Sequence, residues 1–437
     1  PVHVDHHNMD FHPNDPEKLI CANDGGVYYS SNRGTNWINL NATLNLAQFY
    51  RVTSDPANAS HILGGTQDNG VQQTQGSQIW TVQIFGGDGG EACFDSKFNN
   101  YIITENQFNL LRRSINGGST WQLDTTGLSG TAAWIAPIIA HPDSTGVFYT
   151  ARQRVFKSTN YGDSWSGISS GTSGTLRELA VSPSRPNIIY TTITSSVYKS
   201  NDGGKTFTIV SSGLPGRIIT SITVHPDSSD VGLITYSGFG GGHVYKTTNA
   251  GLNWINISGN LPDTPVNDGM FYYPGISTSI LFAATDVGVF ISDNYGNTWS
   301  ELANGLPNTV AMHLDYNKAQ NKLRIATHGR GVWEYSGSLV CITALNTPVP
   351  KDFILSQNYP NPFNPVTSIR YGLPRQLHVK LNVLDALGRE VETLVNRVQQ
   401  AGTYEVSFNG LNYNSGVYFY HFIAGDYSQT KMMTLIK

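Results

Sequence analysis

Asp24-Gly25-Gly26-Val27-Tyr28-Tyr29-Ser30-Ser31-Asn32-Arg33-Gly34-Thr35-Asn36-Trp37 reads as a strand, a tight turn and the start of a second strand. Its second half, Ser/Thr-x-Asn/Asp-x-Gly-x-x-Trp/Phe, returns at Ser114–Trp121, Ser158–Trp165, Ser200–Phe207, Thr247–Trp254 and Ser292–Trp299, with a worn copy ending at Trp80. The aromatic positions 37, 80, 121, 165, 207, 254 and 299 lie 41–47 residues apart. Self-similarity at that period marks a propeller or a solenoid and outranks any local assignment.

Working outward, each repeat divides into four strands, A to D. In the first, A is expected at 2–11, B at 18–23, C at 26–30 and D at 36–40. The A–B turns carry Pro, Asp, Asn and Ser, as in His141-Pro142-Asp143-Ser144 and His225-Pro226-Asp227-Ser228, residues that pre-set turn dihedrals or bond back to the backbone. Eight units begin near residues 2, 48, 90, 134, 176, 218, 270 and 310. The last, 311–335, supplies strands A to C only. A radial ring has to close, because open sheet edges are costly. The missing strand is therefore expected from upstream of Pro1, unless one unit belongs to a second ring. The expectation is an all-β chain: one seven- or eight-bladed β-propeller over 1–336, with strand A innermost in every unit.

Composition agrees. Of 437 residues only 13% are charged, while Gly numbers 45 and Tyr 22, the profile of many short strands and tight turns. A formal net charge of −4 without basic blocks makes nucleic acid and anionic membrane poor partners. No apolar run is long enough for a transmembrane segment. Three separated cysteines, Cys21, Cys93 and Cys341, make neither a disulfide framework nor a metal knuckle, and the first two are expected as free thiols in strands. A start at Pro1, with neither Met nor a secretory signal, suggests a processed product.

The recurring turn resembles the Asp-box, or BNR repeat, of sialidases, sortilin-type receptors and xyloglucanase-type glycoside hydrolases. The resemblance covers about the first 335 residues. It implies a scaffold role: the Asn/Asp caps the turn, Gly takes a positive φ and Trp packs between blades.

Residues 337–352 carry Pro348 and Pro350 without periodicity and read as a linker. Then follow Asn358-Tyr359-Pro360-Asn361-Pro362-Phe363-Asn364-Pro365, Leu387-Gly388-Arg389-Glu390, Ala401-Gly402-x-Tyr404 and Ser415-Gly416-Val417-Tyr418-Phe419-Tyr420. In this order they closely resemble the type IX secretion system C-terminal sorting domain, here 353–437. Read from its residues alone, that segment is a small Ig-like β-sandwich of short alternating strands. The resemblance implies export by the type IX secretion machinery, to the outer-membrane surface or the exterior of a Bacteroidetes-like bacterium.

Function in a propeller concentrates where B–C and D–A loops share one face, opposite the Asp-boxes. Aligning B–C loops by the Val of strand C puts Asp24, Asp68 and Asp286 at one equivalent position, with Phe108, Arg152, Thr194 and Gly241 elsewhere and His328 and Arg330 nearby in the last unit. D–A segments add Asp88, Glu91 and Asp268. Clustered carboxylates push their protonation apart, so that one serves as acid while another stays ionised. Asn23-Asp24-Gly25-Gly26 resembles the Thr-Asp-x-Gly-Gly loop that holds a catalytic Asp in xyloglucanase-type enzymes. On that resemblance Asp24 is the candidate catalytic residue, with Asp68 or Asp88 as partner. No Arg-Ile-Pro segment supports a sialidase. Asp before Gly also simply makes tight turns.

His3, Asp5 and His7 would share one face of a strand, where a divalent ion is the cofactor they could hold; no other cofactor is implied. Phe85, Trp134 and Phe239 could stack on sugar rings or seal blade junctions. The reading that results is a secreted or cell-surface propeller that binds glycan or a surface protein through an acidic loop face. The alternative is a glycoside hydrolase acting on a β-glucan through Asp24 and a second carboxylate.

Overall fold

The computed structural model describes residues 2–41, 44–84, 86–170, 172–272, 280–302, 305–335, 342–345, 349–410 and 413–437. Cys341, Pro348 and Phe85 lie outside them. Every regular element among the described residues is a strand or a short turn of 3-10 type. The chain divides into two compact units, the first drawn almost entirely from residues up to Tyr335 and the second mostly from the residues after it.

Among the described residues the first unit holds eight antiparallel sheets, and seven of them form a ring. These are blades I (49–84), II (89–123), III (138–167), IV (179–209), V (219–256), VI (266–301) and VII (311–335). Blades I to VI have four strands in simple up-and-down order; blade VII has three among the described residues. Inner strands of successive blades pack side by side, and the inner strand of blade VII packs on that of blade I. The second strand of each blade is sandwiched by neighbours on both faces. His61–Thr66, Ile102–Asn106, Phe148–Ala151 and Leu281–Thr285 are accordingly buried at every residue. Each large apolar side chain buried there contributes about 1.5–3 kcal/mol relative to exposure.

The ring closes directly between blades VII and I. Ala326 packs into a cluster with Phe49, Val52 and Ile62. Asn317, buried, donates to Ser54 Oγ at 3.2 Å and to the Asp55 carbonyl at 2.9 Å, and Ser54 donates to Asp315 at 2.5 Å. Arg324, 1% exposed, reaches the Ala59 carbonyl in blade I while pairing with Glu334 at 3.0 Å and Asp315 at 3.7 Å.

The unit expected to open the ring lies outside it. Its sheet (6–39) has the blade topology and an intact Asp-box, but its first strand, His6–His12, is exposed at every residue instead of lining the axis. The place beside blade I is already filled by blade VII. Ring membership needs an inner strand that buries against two neighbours, and His-His-Asn-Met-Asp-Phe-His has no such face.

The Asp-boxes behave as the motif implies, with one addition. Ser30, Ser114, Ser158, Ser200, Thr247 and Ser292 each accept the box Gly N–H at 2.8–2.9 Å. The Asn or Asp carboxyl-side oxygen accepts the N–H four residues on, as from Thr120 to Asn116 at 2.9 Å. Trp254 and Trp299 donate their indole N–H to Val210 and Ile257 of the preceding blade. The addition is a second left-handed residue directly before the Gly: Arg33, Tyr161, Ala250 and Tyr295 have φ of 54–61°.

The second unit is a sandwich of two four-stranded sheets. One runs Ile342–Leu345, Gly402–Asn409, Val366–Leu373, Ile354–Leu355; the other Glu390–Gln399, Leu377–Leu384, Gly416–Ala424, Tyr427–Leu435. Its core includes Phe363, Ile369, Tyr371, Leu381, Phe408, Tyr420, Phe422 and Met433. Ile342–Leu345 falls inside the stretch expected as a linker, yet it pairs with Gly402–Asn409 as a strand of this sandwich.

Two outcomes check this fold. Gly251 has φ +86 and its added Cβ would meet Val210 of the preceding blade at 2.9 Å, whereas Gly203 has φ +73 and open space. Because Ala250 already occupies the position equivalent to Gly203, Gly203→Ala should cost about 1 kcal/mol, and Gly251→Ala about 2–4 kcal/mol, read from denaturant midpoints. Arg324→Ala, which leaves Asp315 at the seam without its cation while Glu334 keeps Lys322, should cost about 3–5 kcal/mol in the same measurement.

Candidate functional site

Inner strands carry a bulge at their start in blades I, V, VI and VII, at the steps Phe49/Arg51, Ile219/Ser221, Val266/Asp268 and Ala311/His313. A bulge inserts one unpaired residue and re-aims its neighbours. Here it separates two groups of side chains, one running along the axis and one at the loop face.

The axial group lines a cavity of about 270 Å³. Arg51 pairs with Glu91 and with Glu178, each at 3.2 Å. Asp268 accepts from Ser221 Oγ at 2.7 Å and from the Leu314 N–H at 2.9 Å, with His313 at 3.8 Å. Burial pushes the Glu178 carboxyl up to about 7, against the opposing pull of Arg51. The side chain is 21% exposed, toward the cavity it lines. Glu91 and Asp268, expected at the acidic loop face, are thus tied into the axis. Arg51 and Glu178 were not singled out from the sequence. Aligning inner strands instead of B–C loops finds Arg51, since Arg51, Glu91, Ser221, Asp268 and His313 all stand third in theirs, whereas Glu178 directly precedes its strand, Leu179–Val181.

The loop-face group forms where the first sheet meets blades I and II. Asp68, φ +59, lies in the B–C loop of blade I and Asp88 directly before blade II. Asp88 is buried and accepts three hydrogen bonds: the Asp68 N–H at 2.8 Å, the Tyr50 hydroxyl at 3.2 Å and the Trp134 indole N–H at 3.0 Å. Tyr50 is the bulge residue of blade I, and burial beside Asp88 pushes its phenol up to about 12. From the first sheet come Asp24 and His7, hydrogen-bonded through Oδ1 and Nε2, so that Asp24 holds the imidazole above its ordinary range. Asn69 of blade I donates to the Asp24 carbonyl at 3.1 Å, and His3 Nε2 sits 3.2 Å from the Asp68 carbonyl. Burial, then the charges of Asp88, Asp24 and Asp5, raise the Asp68 carboxyl.

Asp24, Asp68 and Asp88 are therefore brought together, and the other expected residues are not. Asp286 accepts from Asn267, which also holds the Ala311 carbonyl, at the blade VI–VII junction. His328 bonds Gln67 at 3.2 Å with its ring 5.8 Å from Tyr50, at the edge of the cluster. Arg330 contributes backbone bonds to Thr327 and Trp333. Phe239 projects from a loop of blade V laced to Arg217. The metal reading does not hold: His3 and Asp5 precede the strand, so no shared face forms, and the two imidazoles turn to separate partners, Asp68 and Asp24. Among the described residues no three His, Cys, Asp or Glu side chains converge on a metal position. Cys21 and Cys93 are free. No helix among the described residues is long and apolar enough to cross a membrane.

A family model of the secretion system C-terminal sorting domain matches residues 357–436. The xyloglucanase of Hypocrea jecorina (strain QM6a) is 26% identical over 292 residues, 60% of this chain and 32% of that one. Sortilin of Rattus norvegicus is 28% identical over 145 residues, 32% of this chain and 17% of its own length. Among solved structures, a Niastella koreensis GH74 enzyme aligns with TM-score 0.53 at 16% identity, covering 76% of this chain and 49% of the other. The chain thus spans about a third of the xyloglucanase and half of the GH74 structure. The propeller is similar to those of sortilin and xyloglucanase, and the chain carries a type IX secretion tail, which directs export to the cell surface or the extracellular space.

Because Glu178 titrates near 7 when folded and near 4.5 when unfolded, the folded chain holds its proton longer. Stability carried by this group is full below about pH 4.5 and is lost as pH rises to about 7, then flat. Glu178→Gln should remove that part of the slope, read as a smaller difference in denaturant midpoint between pH 5 and pH 8 than in the unaltered chain.

Proposed function

We propose that the loop face where the first sheet meets blades I and II binds a glycan outside the cell, with Asp24 and Asp68 as the carboxylates that meet it. What carries this reading is one arrangement: Asp88 holds both the Asp68 N–H and the indole of half-exposed Trp134, and Asn69 ties partly buried Asp24 to the same loop. Sugars are recognised by carboxylates accepting from hydroxyl groups and by aromatic faces against C–H faces. The sorting tail supports ligands met outside the cell, polysaccharide among them.

A second reading, hydrolysis of a β-glucan, is favoured by Asp68. Acid catalysis needs one carboxyl kept protonated and another ionised across the bond. Asp68 is raised by burial and by neighbouring acids, while Asp24 faces the His7 imidazole. Asp88, with three donors on it, is the poorer partner. Similarity to a xyloglucanase supports the same reading.

A polysaccharide panel separates the two. Binding of a soluble glucan should weaken about tenfold in Asp24→Ala; an unaltered protein that retains no glycan on the panel sinks the proposal. Under the second reading, reducing ends are released and the rate falls about 10²–10⁴-fold in both Asp24→Ala and Asp68→Asn. Binding without release leaves the first reading and removes the second.

A further inference from the structure

Asp88 is the most heavily engaged acid on the loop face. Its side chain is buried, and no cation pairs with it among the described ion pairs. Its charge is met by three neutral donors instead, the Asp68 N–H, the Tyr50 hydroxyl and the Trp134 indole N–H. A carboxylate offers about four acceptor directions, so little is left for a ligand. The three donors come from three segments that meet at the loop cluster: the B–C loop of blade I, the bulge of blade I and the segment before blade III.

Trp134 is held from three sides. Its N–H is on Asp88, its carbonyl accepts the Phe108 N–H at 2.9 Å, and its ring meets Phe108 edge to face at 4.9 Å and 78°. Yet it is 48% exposed and Phe108 is 55% exposed. Phe108 keeps φ +62 and the next residue, Asn109, φ +59. An aromatic residue in the left-handed region is uncommon and persists only where surroundings enforce it. Buried Asn109 supplies that enforcement through Thr150 at 2.8 Å and Arg152 at 3.1 Å. An exposed indole fixed in this way loses little freedom when a ligand stacks on it.

We infer that Asp88 is a positioning residue and not a reacting carboxylate: accepting the Trp134 indole N–H on one oxygen and the Asp68 N–H on the other, it fixes a stacking face for a neutral pyranose ring beside the Asp24–Asp68 pair. This rests on the glycan-binding reading above and adds the ligand class. Asp88 is bonded to Trp134 and to the Asp68 N–H, and Asn69 next to Asp68 holds the Asp24 carbonyl, so three acids adjoin the platform. A uronic-acid polymer meets like charge there, whereas an uncharged hexopyranose offers its C–H face to Trp134 and hydroxyl groups to the acids.

The test uses the full chain, cellohexaose and hexagalacturonate as probes, and 5-fluorotryptophan labelling with the Trp134 signal assigned through Trp134→Phe. Cellohexaose should bind and hexagalacturonate should not. Asp88→Asn should displace the Trp134 fluorine signal and weaken cellohexaose about tenfold, with Tyr50→Phe, which leaves Asp88 charged, costing less. Trp134→Ala should lose binding, and Trp134→Phe should keep part of it. A Trp134 signal unmoved in folded Asp88→Asn, or unchanged cellohexaose affinity, overturns the positioning role. Preference for hexagalacturonate overturns the ligand class. If the unaltered chain binds neither probe, the ligand reading fails, while the fluorine signal still decides whether Asp88 positions Trp134.

Discussion

The seam between blades VII and I is the constraint on which the rest of the propeller depends. No strand crosses it among the described residues; it is held by side chains, with buried Arg324 and Asn317 reaching the backbone of blade I. Burying a guanidinium is expensive unless acids and carbonyls meet it, and Asp315, Glu334 and the Ala59 carbonyl do so. Hydrogen bonds of this kind are directional in a way that apolar contact is not. They fix how blade VII meets blade I, and hence the number of blades around the axis. With seven places filled, the axial residues from Arg51 to His313 converge on one small cavity, and the loops above them form one face.

The Asp-box answers a different need. Each blade must turn sharply at its outer side and still present a flat aromatic to its neighbour. Two consecutive left-handed residues make the turn, the Ser/Thr hydroxyl and the Asn/Asp oxygen satisfy its N–H groups, and in Trp254 and Trp299 the indole N–H finds a carbonyl in the blade before. Nothing in that chemistry faces a ligand. The box therefore repeats where the scaffold repeats, and the loops at the opposite ends of the strands are free to differ.

This division explains what the sequence made legible. The box period marks blades, and the alternation and turn residues after 353 mark the sandwich, because both are local patterns. Ring membership is not local: the first sheet carries a perfect box and still lies outside, since a box records how a blade turns and not what flanks it. The polar, fully exposed His6–His12 held the clue. At the site, the B–C alignment singled out Asp24 and Asp68, which the structure brings to one loop cluster. It could not separate Asp286, which braces Asn267, or foresee that a bulge sends Tyr50 to Asp88 and Arg51 to the axis. Those assignments depend on partners some 20 to 130 residues away.

The two candidate acids belong to different bodies of structure. Asp68 is set by the ring through Asp88, whereas Asp24 comes from the sheet outside it. The hydrogen bonds that join them run through loops: Asn69 to the Asp24 carbonyl, and His3 to the Asp68 carbonyl. Such contacts bury little apolar surface, so the strain-bearing, well-packed side of the site is the ring and the adjustable side is the first sheet. A pair of carboxylates built in this way has one fixed member and one whose distance follows the sheet. Chemistry that depends on their spacing is then governed by what holds the first sheet against blade I, and not by the rigidity of the propeller itself.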